Sequence, residues 1–179
     1  MTALKNEIVQ ELPFSSAEEE ALLNLMRTTD CLSRVVQRTT REWGITATQY
    51  NVLRILRGAQ PQGLTCSAIG TRMITADPDI TRLLSRLKNL KLVRQQRDKH
   101  DRRVIWTHIS EAGLDLLRQM DAKVRHMPKE MLGHLTASEL AEFTRLLELA
   151  RKGCADGQGP ATCDGRNTGS ETTCDAGIA

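Results

Sequence analysis

Arg82 and Arg86 stand four residues apart, a spacing that places both on one face of a helix. A guanidinium is a flat fork of donors, matched to paired acceptors such as O6 and N7 of guanine or the oxygens of a phosphate. Thr81, Ser85 and Lys88 line the other polar sides of the same stretch and add hydroxyls and an ammonium that reach base edges or phosphate. Asp79 refines the register of such contacts or caps the helix. Further along, Lys99, Arg102 and Arg103 crowd a short basic run in which Asp101 is placed to orient an arginine by a salt bridge. The chemistry these types offer is recognition of a polyanion.

The elements that must position these groups are legible from apolar spacing. Ile80, Leu83, Leu84, Leu87 and Leu90 recur at helical intervals, so one side of the helix faces a core while the arginines face outward. The segments VRQQR and VIWTHI, rich in strand-favouring residues and joined by DKHDRR, predict a β-hairpin with a charged tip. From Arg72 to Arg103 there are ten Lys and Arg against four Asp, a net charge of +6, whereas the whole chain carries +3. The remainder therefore sums to −3, and the positive potential is concentrated on the helix and hairpin. Such a patch attracts nucleic acid with an affinity that falls as salt rises. The competing reading of the same charges is a solvated helix face.

Upstream, Thr46 opens ATQYNVLRILRGA, which Gly58 and Pro61-Gln62-Gly63 close, and Thr65 opens CSAIGTRM, with Ala68, Ile69 and Met73 inward. A turn near Thr75 leads to the basic helix, whose first turn holds Asp77, Pro78 and Asp79 at the positive end of the helix dipole. Residues 46–110 thus predict helices and a hairpin in one winged helix-turn-helix module. Residues 1–14 predict an apolar arm. Ser15 with Glu18, and Ser16 with Glu19, each fit a capping box for a helix over 15–45 that runs to about Trp43. After Ser110, residues 111–152 predict two more helices, the first bent or split at Pro128 and the second opened by Thr136 with Glu139. These long amphipathic helices exceed what the module needs for its own core, which predicts a homodimer, a monomeric bundle being the alternative. The fold class is mainly α with a small antiparallel β-hairpin. Residues 153–179, with six glycines in 27 positions, predict a flexible tail.

Enzymatic classes find no support: no coherent set of paired carboxylates, activated nucleophile, phosphate loop or metal ligands appears, and no cofactor is expected. His108, His126 and His134 lack short ligand spacing, and so do Cys154, Cys163 and Cys174. No apolar run of membrane-spanning length and no secretory pattern occurs, and the five cysteines form no disulfide scaffold, so a cytoplasmic, reducing location is expected.

The pieces GITATQYNVLRIL, TCSAIGTRM and DPDITRLLSRLKNLKLVRQQRDKHDRRVIWTHISEAG, in that order and enclosed by terminal helices, resemble the MarR-type (multiple antibiotic resistance) transcriptional regulators over roughly Ser15 to Arg151. The wing signature D-x-R stands as Asp101-Arg102-Arg103, and the usual Thr-x-x-Gly as Ser110-Glu111-Ala112-Gly113. The resemblance implies a homodimer binding a pseudo-palindromic operator in double-stranded DNA, often as a repressor released by a small molecule or by oxidation. It favours Arg103 as the groove contact of the wing. It also implies an effector cleft for anionic aromatic compounds, to which Arg27, Trp43 and Tyr50 are the local candidates; ordinary packing is the other reading of the two rings. Cys31-Leu32-Ser33 departs from the Cys-Phe start of the peroxide-sensing branch, so a packed thiol is the simpler reading there. The functional alternative is a winged-helix protein-interaction module without specific DNA binding.

Overall fold

The computed structural model describes residues 3–77 and 79–153, so the expectations for the Gly-rich segment and for Pro78 lie outside the described residues. The elements are α1 (Ala3–Glu7), α2 (Ala17–Arg41), α3 (Ala47–Gly58), α4 (Cys66–Gly70), α5 (Ile80–Asn89), β1 (Val93–Arg97), β2 (Ile105–Ile109), α6 (Glu111–Leu132) and α7 (Ala137–Lys152). The fold is mainly helical with one two-stranded antiparallel sheet, in which Val93 pairs with Ile109 and Arg97 with Ile105.

Caps fix where the helices begin. Thr46 and Gln49 satisfy each other's backbone N–H groups at the start of α3, and Thr136 and Glu139 do the same for α7. At α2 the arrangement differs from a simple capping box. The Ser16 hydroxyl accepts from the Glu19 N–H, while the Glu19 carboxylate reaches past Ser16 to the N–H and hydroxyl of Ser15. The segment before it includes the short helix α1, whose Leu4 is buried.

The core is centred on the module and shared with α6. Val52, Leu53 and Leu56 of α3, Ile69 of α4, and Ile80, Leu83, Leu84 and Leu87 of α5 pack with Val93 and Ile109 of the hairpin and with Leu117 and Met120 of α6. Leu90 does not join them. The helix ends at Asn89, Lys91 takes a left-handed conformation (φ 60°), and Leu90 is left 49 % exposed. Of the two expectations for Pro128, a split is ruled out: it sits within α6, which continues to Leu132 although a proline removes one N–H donor.

Gly63 (φ 73°) turns the chain beside the sheet, where a Cβ would stand 2.6 Å from Nδ1 of His108. Leu64 then exchanges two backbone hydrogen bonds with Thr107, at 2.9 and 2.7 Å, which anchors the middle of β2 to the start of the helix-turn-helix. Outside the module α2 and α7 are poorly covered: Leu22, Leu25 and Met26 on α2 and Leu146 and Leu149 on α7 are exposed, and α7 buries no residue fully.

Candidate nucleic-acid interface

The N-terminal end of α5 is built by Asp79, whose Oδ1 accepts from the Arg82 N–H at 2.9 Å. Asp77 in turn accepts from the Asp79 N–H at 2.9 Å, so two carboxylates sit at the positive end of the helix dipole. Asp79 is therefore a cap. Four apolar residues, Ile80, Leu83, Leu84 and Leu87, fasten one side of α5 to the core, and this sets the opposite side. Thr81, Arg82, Ser85, Arg86 and Lys88 are all exposed there. Among the described residues neither Arg82 nor Arg86 forms an ion pair, so both guanidiniums keep their donors available. The Thr81 hydroxyl lies 3.9 Å from the sulfur of Cys66, which ties that face of α5 to α4.

The wing tip is organised by a residue that sequence reasoning counted only as a charge. Asp98 accepts from the backbone N–H groups of His100 (2.8 Å) and Asp101 (3.0 Å) through Oδ1, and from Nε1 of Trp106 (2.9 Å) through Oδ2. These three donors, the backbone pair first, hold its carboxyl at about 2, well below the usual carboxylate range. The signal for it was present: Asp followed by a polar turn favours bonding to N–H groups two residues on, and a partly buried indole N–H needs an acceptor.

Asp101 supports the tip in a different way from the expected salt bridge. Its Oδ1 accepts from the backbone N–H of Arg103 at 2.9 Å, and among the described residues it pairs with no guanidinium. The contact shapes the loop that carries Arg103. Lys99, Arg102 and Arg103 are exposed at this tip, beside two backbone bonds that close the hairpin: Asp98 N–H to Val104 O at 2.9 Å and Val104 N–H to Asp101 O at 3.0 Å.

Among the described residues the three effector candidates stand at separate places. Arg27 pairs with Glu7 of α1 at 3.6 Å, and the 16 positions between it and Trp43 span roughly 24 Å at a helical rise. Trp43 is half-buried with Nζ of Lys123 5.6 Å from its ring centre, and Tyr50 is buried with the Arg54 guanidinium 5.9 Å from its own. Burial pushes the Tyr50 hydroxyl up from its ordinary value, so it remains a neutral phenol. An open concavity of about 480 Å³ is lined instead by Arg34, Gln37, Arg38, Arg41 and Glu42, all from the end of α2 and its cap. Cys31 is exposed, and no group of metal-ligating side chains occurs among the described residues. Among the described residues no helix is long and apolar enough to cross a membrane.

A helix carrying unpaired arginines, followed at once by a basic hairpin, defines a winged helix-turn-helix protein. The sequence pattern of the MarR family matches residues 43–104, which cover α3 to the wing tip. A MarR transcription factor from Planctomyces limnophilus is 40% identical, with a TM-score of 0.60, over 76% of this chain and 99% of that one. The transcriptional regulator MhqR of Bacillus subtilis is 28% identical over 107 residues, 59% of this chain and 71% of that protein. A mutant MarR from E. coli, solved in complex with operator DNA, has the same fold: TM-score 0.65 at 23% identity, covering 83% and 99% of the two chains. The chain belongs to the MarR family of winged helix-turn-helix transcriptional regulators, DNA-binding proteins and not enzymes.

Proposed function

We propose that this protein is a homodimeric repressor that binds a pseudo-palindromic operator in double-stranded DNA, with α5 in the major groove and the wing on the adjoining backbone or minor groove. The observation that carries the reading is the exposed, unpaired Arg82 and Arg86 on a helix whose other side is fully buried. In this reading Thr81, Ser85 and Lys88 add base-edge and phosphate contacts, Asp79 caps the helix, and Lys99, Arg102 and Arg103 serve the wing with Asp101 as its support. A groove-bound helix needs a free polar face and a rigid base, and α5 has both.

The homodimer is supported by the bare apolar surface of the terminal helices. Met26 is 60 % exposed, and Leu22, Leu146 and Leu149 are similarly uncovered. Apolar side chains left uncovered on α2 and α7 are what a second copy would cover. On this division residues 15–45 and 111–152 serve assembly and residues 46–110 serve DNA, within the cytoplasm.

Family membership supports control by a small anionic or aromatic effector, with Arg27, Trp43 and Tyr50 as candidate contacts. The cations Arg54 and Lys123 over the two rings add charge suited to an anion. The deciding experiment is unbiased selection of genomic fragments bound by the purified protein, followed by footprinting. Two protected half-sites about one helical turn apart are expected. Fragments without a shared sequence, or no retained DNA, would overturn the proposal and favour a protein-interaction module.

A further inference from the structure

α6 is fastened to the DNA-binding module at two separate points. At its start, the Ser110 hydroxyl donates to the carbonyl oxygen of Lys91 at 2.7 Å, and the Ser110 N–H donates to that of Leu92 at 3.0 Å. Gly113 allows this approach, since a Cβ there would stand 2.4 Å from the Leu92 oxygen. The helix thus begins joined to the link between α5 and the wing. Farther along, one terminal nitrogen of Arg57, in the last turn of α3, donates to both oxygens of Asp121 at 2.9 Å. Eleven residues separate Ser110 from Asp121, so the two fixed points lie roughly 16 Å apart along the helix.

One attachment leaves a helix free to swing about it, whereas two set its direction. The apolar contacts between α3 and α6, among them Leu53, Leu56, Leu117 and Met120, hold the helices within a range of crossing angles of roughly ±15–20°, because apolar attraction itself has no preferred direction. The charged hydrogen bonds of Arg57 to Asp121 do have one. Among the described residues this is the only ion pair joining α3 to α6. The other tie of α6, Lys123 to Glu42, runs to the end of α2 and therefore stays within the helices assigned to assembly. Arg57 and Asp121 are 34 % and 33 % exposed at the side chain, a sheltered position compared with the other pairs.

We propose that Arg57 and Asp121 are positioning residues that set the angle between the winged module and α6, and with it the spacing of DNA half-sites that a dimer accepts. The inference rests on the homodimeric reading given above. Neither residue belongs to α5 or the wing, so neither supplies a DNA contact assigned above. Their action falls on the distance and rotation between two recognition helices, where a small change in angle at α6 is multiplied by the reach of the module.

The test uses the full-length protein on an operator recovered by selection, on the same operator with about two base pairs inserted between or removed from between its half-sites, and on a single half-site. Such a change rotates one half-site by roughly 70° relative to the other. Wild type is expected to discriminate strongly against the respaced sites. Asp121→Asn is expected to lose about three- to tenfold of that discrimination, with half-site affinity and salt dependence unchanged. Exchanging the charges, Arg57→Asp with Asp121→Arg, is expected to recover part of it. Arg57→Lys keeps a charge while moving the donor, carries the same expectation at smaller size, and decides the question if Asp121→Asn does not fold.

A wild-type spacing preference retained by the folded variants overturns the inference. So does an equal loss on native, respaced and half-site DNA, which marks a purely structural pair. Wild type that binds no DNA specifically refutes the regulator reading itself, whereas variants indistinguishable from a DNA-binding wild type refute only the positioning role.

Discussion

The indole N–H of Trp106 on β2 donates to Oδ2 of Asp98 at 2.9 Å, and the other oxygen of the same carboxylate receives the N–H groups of His100 and Asp101. One half-buried acid thereby links the strand that enters the core to the loop that carries the wing arginines. The arrangement relies on a negative carboxylate, because a protonated one has lost acceptor strength toward all three donors.

The pH behaviour of the wing follows from that site. The folded value of Asp98 is depressed to about 2 from 3.8, so its contribution to wing order is fully present above 3.8 and is lost as pH falls through about 2. The Trp106 indole resonance in NMR is expected to titrate with a midpoint near 2, and to lose that titration in Asp98→Asn. A midpoint close to 3.8 would show that the three donors do not act on the carboxylate.

Arg82→Ala and Arg86→Ala are each expected to weaken binding to the operator by about 1–3 kcal/mol and to relax base preference at the position read. Both side chains are exposed, so thermal stability is expected to stay near that of wild type. Fluorescence-anisotropy titrations at fixed salt check this; two folded variants with unchanged affinity and base preference would remove these residues from the readout.

Arg103→Ala is expected to weaken operator and scrambled DNA alike, and to reduce the slope of log affinity against log salt by about one unit. Asp101→Ala removes a bond to the Arg103 backbone and is expected to act in the same direction to a smaller extent. Tighter binding by Asp101→Ala in a salt series would instead identify repulsion of phosphate as the main effect of that carboxylate.

How far the fold could be read in advance depended on whether its determinants were local. Ile80, Leu83, Leu84 and Leu87 follow helical spacing, and all four are buried as that spacing requires. Leu90 follows the same rhythm, yet a left-handed Lys91 ends the helix first, a backbone event that apolar spacing does not register. Pro128 carries a breaking signal that the rest of α6 overrides. In the site, the exposed face of α5 was legible because burial of one side dictates the other. Asp98 with Trp106 was not, because the bond forms only when the hairpin pairs. Arg57 and Asp121 are 64 residues apart, and no periodicity connects them.

Thr107 offers a test of the packing beneath the wing. Its side chain is buried in β2, and its Oγ1 has no hydrogen-bond partner among the described residues. Valine has the same shape without the unpaired hydroxyl, so Thr107→Val is expected to stabilise the protein by about 1 kcal/mol. For a chain of this size that corresponds to a rise in Tm of roughly 2 to 4 °C. A lower Tm in differential scanning calorimetry would mean that the hydroxyl is satisfied in solution.

The most direct measurement of the central claim is a titration of the wild-type protein, at one fixed salt concentration, against an operator recovered by genomic selection and against the same bases in scrambled order. Specific recognition by α5 predicts a preference of about a thousandfold or more for the operator. Equal affinity for the two duplexes would contradict the account, leaving the basic helix and wing as a surface that attracts DNA without reading it.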